Sequence, residues 1–169
     1  ITSKEKYPAS CYGRIGVVFQ KHNLFPHLTA MENVTLHLRL VRKMDGNSAK
    51  EAGIDVLRQV NMQNRSHAYP SELSGGECQR VAIARILALD PSAILMDEPT
   101  AHLDPQSADG IYDIVVELAK SGRALLIATH NLHFARAVGQ QFAFLHNGRI
   151  EVTSDPEILN RIASRWGEL

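Results

Sequence analysis

"LSGGECQR", residues 73–80, sets two adjacent glycines between a serine and a glutamate, and the apolar run "VAIARILAL" (81–89) follows at once. Ser74, Gly75, Gly76 and Glu77 have the S-x-x-E spacing of a capping box, in which serine and glutamate satisfy free backbone N–H groups at a helix start. A cap needs no glycines, and each costs about 1 kcal/mol inside a helix. What the pair supplies is bare backbone N–H at the positive end of a helix dipole, open to close approach by a large anion. The stretch reads as a helix N-terminus built for phosphate. On helix propensity alone, and with a negative φ at Gly76, Gly76→Ala should leave the protein as stable or slightly more so while blocking the anion.

Four short apolar runs frame this helix: "IGVVF" (15–19), "AILM" (93–96), "ALLIA" (124–128) and "FAFLH" (142–146). They are continuous rather than alternating, as in parallel strands covered on both faces. Helical segments separate most of them, so the class is α/β with crossover connections. "NG" at 147–148, followed by "RIEV", is a hairpin signal expected to add a strand at the end of the sheet. Residues 20–92 contain no comparable run. Within them Thr29 to Glu32 and Ser48 to Glu51 are capping boxes, each expected to open a helix, and Pro70 breaks the chain before the glycines. Residues 23–90 therefore read as a helical subdomain inserted into an α/β core of residues 1–22 and 91–169, the whole forming one domain. Asp104 caps a further helix with Pro105 at its first position, running to Gly122. A short helix is expected after Asp155 and Pro156.

The run "AILMDEP" (93–99) ends in two acids, Asp97 and Glu98, stopped by Pro99. Strand alternation would send them to opposite faces, giving them different tasks. One suits a Mg²⁺ shell beside phosphates, and the other suits orienting or deprotonating a water. Gln20 follows "IGVVF" and His130 follows "ALLIAT". Ligands of open α/β sheets bind beyond the carboxyl ends of the strands. Three strands thus deliver Gln20, Asp97 with Glu98, and His130 to one edge.

The totals narrow the alternatives. The 169 residues are 44% hydrophobic, enough for one domain with a core. Lys+Arg and Asp+Glu both number 18, so no global field draws the chain to nucleic acid or anionic lipid. No apolar run approaches the roughly 20 residues of a membrane span. Cys11 and Cys78 form no CxxC and read as reduced thiols of a cytosolic protein. Cys78 is expected to be a small, at least half-buried residue with no base to activate it. His130 and His133 lack the HExxH or cysteine context of zinc, and His22, His27 and His37 read as surface or subdomain residues. The opening "ITSKEKYPAS" has no starting Met and no clear element boundary, which suggests a fragment.

"VVFQ", "LSGGECQRVAIARIL", "ILMDEP", "AHLD" and "ATH" stand in the order and rough spacing of the Q-loop, signature, Walker B, D-loop and H-loop of ATP-binding-cassette (ABC) ATPases, and from about Gly13 onward the chain resembles them. "NLFPHLTAMENV" and "AYPSELSGGECQRVAIARILALDP" look most like the ATPase subunits of bacterial polar amino-acid importers. The resemblance implies a P-loop NTPase core with a parallel sheet and an inserted helical subdomain. It implies ATP and Mg²⁺ as ligands, Glu98 as catalytic base, Asp97 binding Mg²⁺ through water, Gln20 contacting Mg²⁺ and the attacking water, and His130 holding the γ-phosphate. Ser74, Gly75, Gly76, Glu77 and Asp104 would serve ATP bound on a second subunit in a head-to-tail dimer, with His102 in the same interface. A transmembrane permease would dock on the helical subdomain, a solute-binding protein would act indirectly, and the subunit would lie peripherally on the cytoplasmic face of the plasma (inner) membrane.

Two departures stand out. Glu77 replaces the family's usual glutamine, and the added charge beside phosphate is expected to slow turnover. No G-x-x-x-x-G-K-[ST] occurs, and the adenine-stacking aromatic is missing too, which reads as N-terminal truncation and implies an inactive chain when alone. Two other functions compete: a soluble ABC ATPase acting on nucleic acid or ribosomes, and a non-catalytic interaction module. The first would need coiled-coil insertions, tandem cassettes or basic arms; the second would fit the missing loop. The transported solute is not written in this sequence.

Overall fold

A computed structural model describes residues 13–159 and 164. They fall into two compact units, with the break between Ala128 and Thr129. In the first, β1 (Ile15–Val18) leads into α1 (Ala30–Leu40) and α2 (Gly46–Gln59), and then into α3 (Gly75–Leu87). The chain continues through β2 (Ala93–Asp97), α4 (Pro105–Lys120) and β3 (Ala124–Ala128). The three strands form a parallel sheet in the order β1-β2-β3.

The caps explain where the helices begin. Thr29 opens α1 as expected, its hydroxyl accepting from Glu32 N–H while Glu32 accepts from Thr29 N–H. The box expected at Ser48 is corrected. The cap of α2 is Asp45, whose Oδ1 accepts from the N–H groups of Asn47 at 3.0 Å and Ser48 at 3.1 Å. A carboxylate three residues upstream satisfies these donors first, and the Ser48 hydroxyl itself donates to Asp45 Oδ2 at 2.6 Å. Asp104 caps α4 with Pro105 next, and Gly122, at φ 81°, turns the chain after its last residues.

The sheet has one well-covered face. Gly16 and Val18 of β1 and Ile94 and Met96 of β2 are buried on it. There α3 packs on β1, and α4 packs on α3. Gly16 is essential to this approach, because a Cβ there would lie 2.0 Å from Ile86 Cγ2. From α3, Val81, Ile83 and Ala84 are 0% exposed, and Val34 of α1 and Ile111 and Val115 of α4 share that value. Against the expected cover on both faces, Ile15 is 62% and Leu126 66% exposed on the opposite face among the described residues.

The second unit holds α5 (Leu132–Val138) and the antiparallel pair β4 (Phe142–His146) and β5 (Arg149–Thr153). Asn147 and Gly148 turn the hairpin with φ of 47° and 73°, the left-handed pair that a two-residue turn requires. The hairpin is a two-stranded sheet of its own, so "FAFLH" is an antiparallel strand rather than the fourth parallel one expected, and β5 is not an added strand of the parallel sheet. Strand pairing, not the turn signal, decides that point. Of the helix expected after Pro156, Ile158 and Leu159 are helical, and most of the remainder lies outside the described residues, as does Cys11.

The Gly16 contact yields a test. Gly16→Ala should destabilise the protein by about 1–3 kcal/mol, the scale of overpacking a dense core. In urea unfolding, Ile86→Ala should recover much of that loss when combined with it, because it removes the obstructing methyl.

Candidate functional site

The site is built around the two ends of α3. At its start the capping box forms as the sequence implied: Ser74 Oγ accepts from Glu77 N–H at 3.2 Å, and Glu77 Oε2 accepts from Ser74 N–H at 2.8 Å. Glu77 Oε1 also meets Arg65 Nε at 3.3 Å, so its charge has a counter-ion that the sequence reading missed. Both partners are partly exposed, so the pair softens the charge rather than cancelling it.

The two glycines differ. Gly75 is exposed, and a Cβ on it would make only an ordinary contact of 3.5 Å with Leu103. Gly76 is buried, and its Cβ would fall 2.6 Å from Ser107 Cβ and 2.7 Å from Ser107 Oγ. The expectation that Gly76→Ala is harmless to stability is therefore corrected. Its φ is not positive, as assumed, but packing against α4 outweighs helix propensity. Gly75 keeps the reading of an open approach; Gly76 is a close helix contact.

That contact joins the mouth of α3 to Asp104. Asp104 Oδ1 accepts from Ser107 N–H at 2.9 Å, and Oδ2 accepts from the Ser107 hydroxyl at 2.7 Å. These bonds, the hydroxyl first and then the backbone, hold the Asp104 carboxyl below its usual range. Asp104 is thus an ionised cap beside the glycine pair. Ser107 was not legible as a partner, since its role depends on a helix crossing.

Gln20, Asp97 and Glu98 lie at the carboxyl edge of the sheet. Gln20 is exposed two residues past β1, and Asp97 is the exposed last residue of β2. Val18 stands opposite Met96, so both chains reach the edge in step. Glu98 departs from the expected strand alternation. Its φ is 46°, so it has left the strand for a left-handed turn, while its N–H still donates to Ala128 O at 2.8 Å. Such a conformation costs a non-glycine residue on the order of 1 kcal/mol and persists where the surroundings enforce it. The pleat that was expected to separate Asp97 from Glu98 therefore ends at Asp97, and a turn places Glu98. His102, exposed in the following loop, is also left-handed at φ 63°. His130 lies in the second unit, exposed, just before Asn131, whose side chain caps α5 by accepting from Phe134 N–H at 2.9 Å.

The oxygen donors of Asp97 and Gln20 suit a hard cation. Among the described residues no group of three or more His, Cys, Asp or Glu could hold a metal. A hard cation such as Mg²⁺ takes few protein ligands and completes its shell with phosphate and water. Cys78 is buried, and burial pushes its thiol up, with Glu77 adding to the shift. No helix among the described residues is long and apolar enough to cross a membrane.

At the other end of α3, Arg85 is buried and donates to the carbonyls of Asn23 and His22. Its only sequence signal was a charge on the buried stripe of an apolar helix. His22 and His37 are half-buried, and burial lowers both below the usual histidine range, with Arg85 adding to the effect on His37. His37 sits in α1, within the expected helical subdomain.

The ABC transporter family model matches residues 3–101, more than half of the chain. The chain belongs to the ABC transporter family. It is 46% identical over 143 residues to the glutamate transport ATP-binding protein GluA of Corynebacterium efficiens, spanning 85% of this chain and 59% of that protein. It is 44% identical, at the same two coverages, to the glutamine transport ATP-binding protein GlnQ of Geobacillus stearothermophilus. Among solved structures, the ABC cassette MJ0796 in a dimeric post-hydrolysis state bound to ADP and Pi matches with a TM-score of 0.72 and 36% identity. That match covers 82% of this chain and 62% of the cassette. The α/β fold with its parallel sheet is that of a P-loop NTPase, and the chain spans about three fifths of the length of these relatives.

Two measurements follow. Gly76→Ala should lower stability by about 1–3 kcal/mol, and Ser107→Gly in the same protein should recover part of it, whereas Gly75→Ala should not destabilise. Thermal melts of the four proteins separate packing from propensity. For the histidines, the folded state favours the neutral form, so the unfolded chain binds protons more readily below about pH 6.5. Stability should be fully present above that pH and fall as pH drops from there. In urea titrations at stepped pH, His37→Gln should flatten that slope.

Proposed function

We propose that this chain is part of the ATP-hydrolysing subunit of a membrane importer, with polar amino acids as its solutes. The observation that carries the reading is the sheet edge, where Gln20, Asp97 and a left-handed Glu98 end neighbouring strands. Relatives named for glutamate and glutamine transport support the solute class. The nucleotide would be ATP with Mg²⁺, held by Asp97 through water and by Gln20. Bound Mg²⁺ would neutralise charge on the phosphate oxygens.

Glu98 would orient a water and take its proton as the water oxygen attacks the γ-phosphorus and the bond to the ADP oxygen breaks. Gln20 would help fix that water, and His130 would contact the γ-phosphate. The first-turn N–H groups at exposed Gly75, with Ser74, Gly76, Glu77 and Asp104 beside them, would face ATP on a second cassette in a head-to-tail dimer. The dimeric cassette among the matched structures supports that arrangement. A transmembrane permease, docked on the helical subdomain of residues 23–90, would place the subunit peripherally on the cytoplasmic face of the membrane. Residues 1–169 contain no G-x-x-x-x-G-K-[ST]. Alone they would bind ATP poorly and turn it over little, because that loop supplies most of the phosphate cradle.

In the complete protein, Glu98→Gln should lower ATP hydrolysis by about 10²- to 10⁴-fold, the scale of a general base. ATP binding should persist, and the nucleotide-bound dimer should live longer. Turnover near wild type would assign the base elsewhere.

A further inference from the structure

We infer that Arg85 is a positioning residue that locks the segment carrying Gln20 to α3. Arg85 is 9% exposed, and its two terminal nitrogens each find a backbone carbonyl: Nη1 donates to Asn23 O at 2.6 Å and Nη2 to His22 O at 3.1 Å. Those carbonyls lie two and three residues beyond Gln20. No carboxylate pairs with Arg85 among the described residues, so its buried charge is directed at the backbone of this one loop. Burying a guanidinium without a counter-ion is costly, and an apolar side chain would fill the space at less expense. The gain is geometric, because a planar fork fixes two carbonyls at once where a flexible ammonium would hold them loosely.

The loop needs such an anchor. Asn23 has φ of 50°, a left-handed conformation that surrounding bonds must hold. Downstream, Asn33 of α1, 0% exposed, takes over the fastening. Its Oδ1 accepts from Phe25 N–H at 2.8 Å, and its amide donates to the carbonyls of Phe25, Leu28 and Thr29 at 3.2, 3.0 and 3.0 Å. Asn33 thus ties the loop to α1, while Arg85 ties its first residues to α3. The same helix opens at the glycine pair ten residues earlier, about 15 Å away at 1.5 Å per residue. A rigid helix therefore connects the open Gly75 to the Gln20 segment. The catalytic consequence rests on the function proposed above; the tether itself does not.

The test compares Arg85→Met and Arg85→Lys with wild type in the complete protein, by native-state hydrogen exchange and steady-state ATP hydrolysis. In Arg85→Met, amides of residues 20–25 should exchange at least about tenfold faster while those of β2 and α4 keep their protection. The kcat should fall about tenfold or more and KM for ATP should rise by less than that, since Gln20 would help fix the attacking water as well as contact Mg²⁺. Arg85→Lys should fall between the two in both readouts. It also carries the test should Arg85→Met not fold. Unchanged exchange at 20–25, or a uniform rise in every element, would make Arg85 an ordinary core residue and overturn the inference. A wild-type protein that hydrolyses no ATP would overturn the proposed function, and the exchange data would still decide the tether.

Discussion

The structure of the first unit depends on how closely α3 approaches its neighbours. Gly16 lets it settle on β1 against Ile86, and Gly76 lets its first turn meet Ser107 of α4. Neither position has room for a methyl group, so a sheet contact and a helix contact are fixed on one helix by two glycines. Between them the face of α3 is filled by Val81, Ile83 and Ala84, all fully buried. A rod seated this firmly can present backbone groups at its tip with little freedom, as an anion site built from N–H groups requires.

The same seating explains why the polar residues gather as they do. The Gly76 contact draws in the cap of α4, so Asp104 and the open Gly75 share one corner of the first unit. Arg85 brings in the chain just past Gln20. Glu98 is held differently, by a bond from its N–H to Ala128 O on the neighbouring strand, and it keeps a conformation that a side chain resists. Strain of this kind is expected where a side chain must point in one direction for chemistry.

Much of this was legible in the sequence. The capping boxes at Thr29 and Ser74, the Asp104–Pro105 start, the parallel strands and the residues at their ends all follow from local pattern, because each is decided within a few residues. The failures concern contacts between distant residues. Ser48 lost its cap role to Asp45, a better acceptor just upstream. The hairpin signal foretold the turn but not which sheet the strands would join. Helix propensity at Gly76 was outweighed by Ser107, and Arg85 was unreadable because its partners are carbonyls, which every residue carries. That His22 and His37 are half-buried, and so lowered, was unreadable for the same reason, since burial is a property of the packed chain.

The central claim is that the mouth of α3 holds phosphate through backbone N–H groups left open at Gly75. The most direct measurement is an experimental structure of the complete Glu98→Gln protein with ATP and Mg²⁺ bound. The account predicts a γ-phosphate oxygen of ATP on the facing copy about 3 Å from a backbone nitrogen of the first turn of α3, with Gly76 still packed on Ser107. A nucleotide whose phosphates approach no N–H of that turn would contradict it.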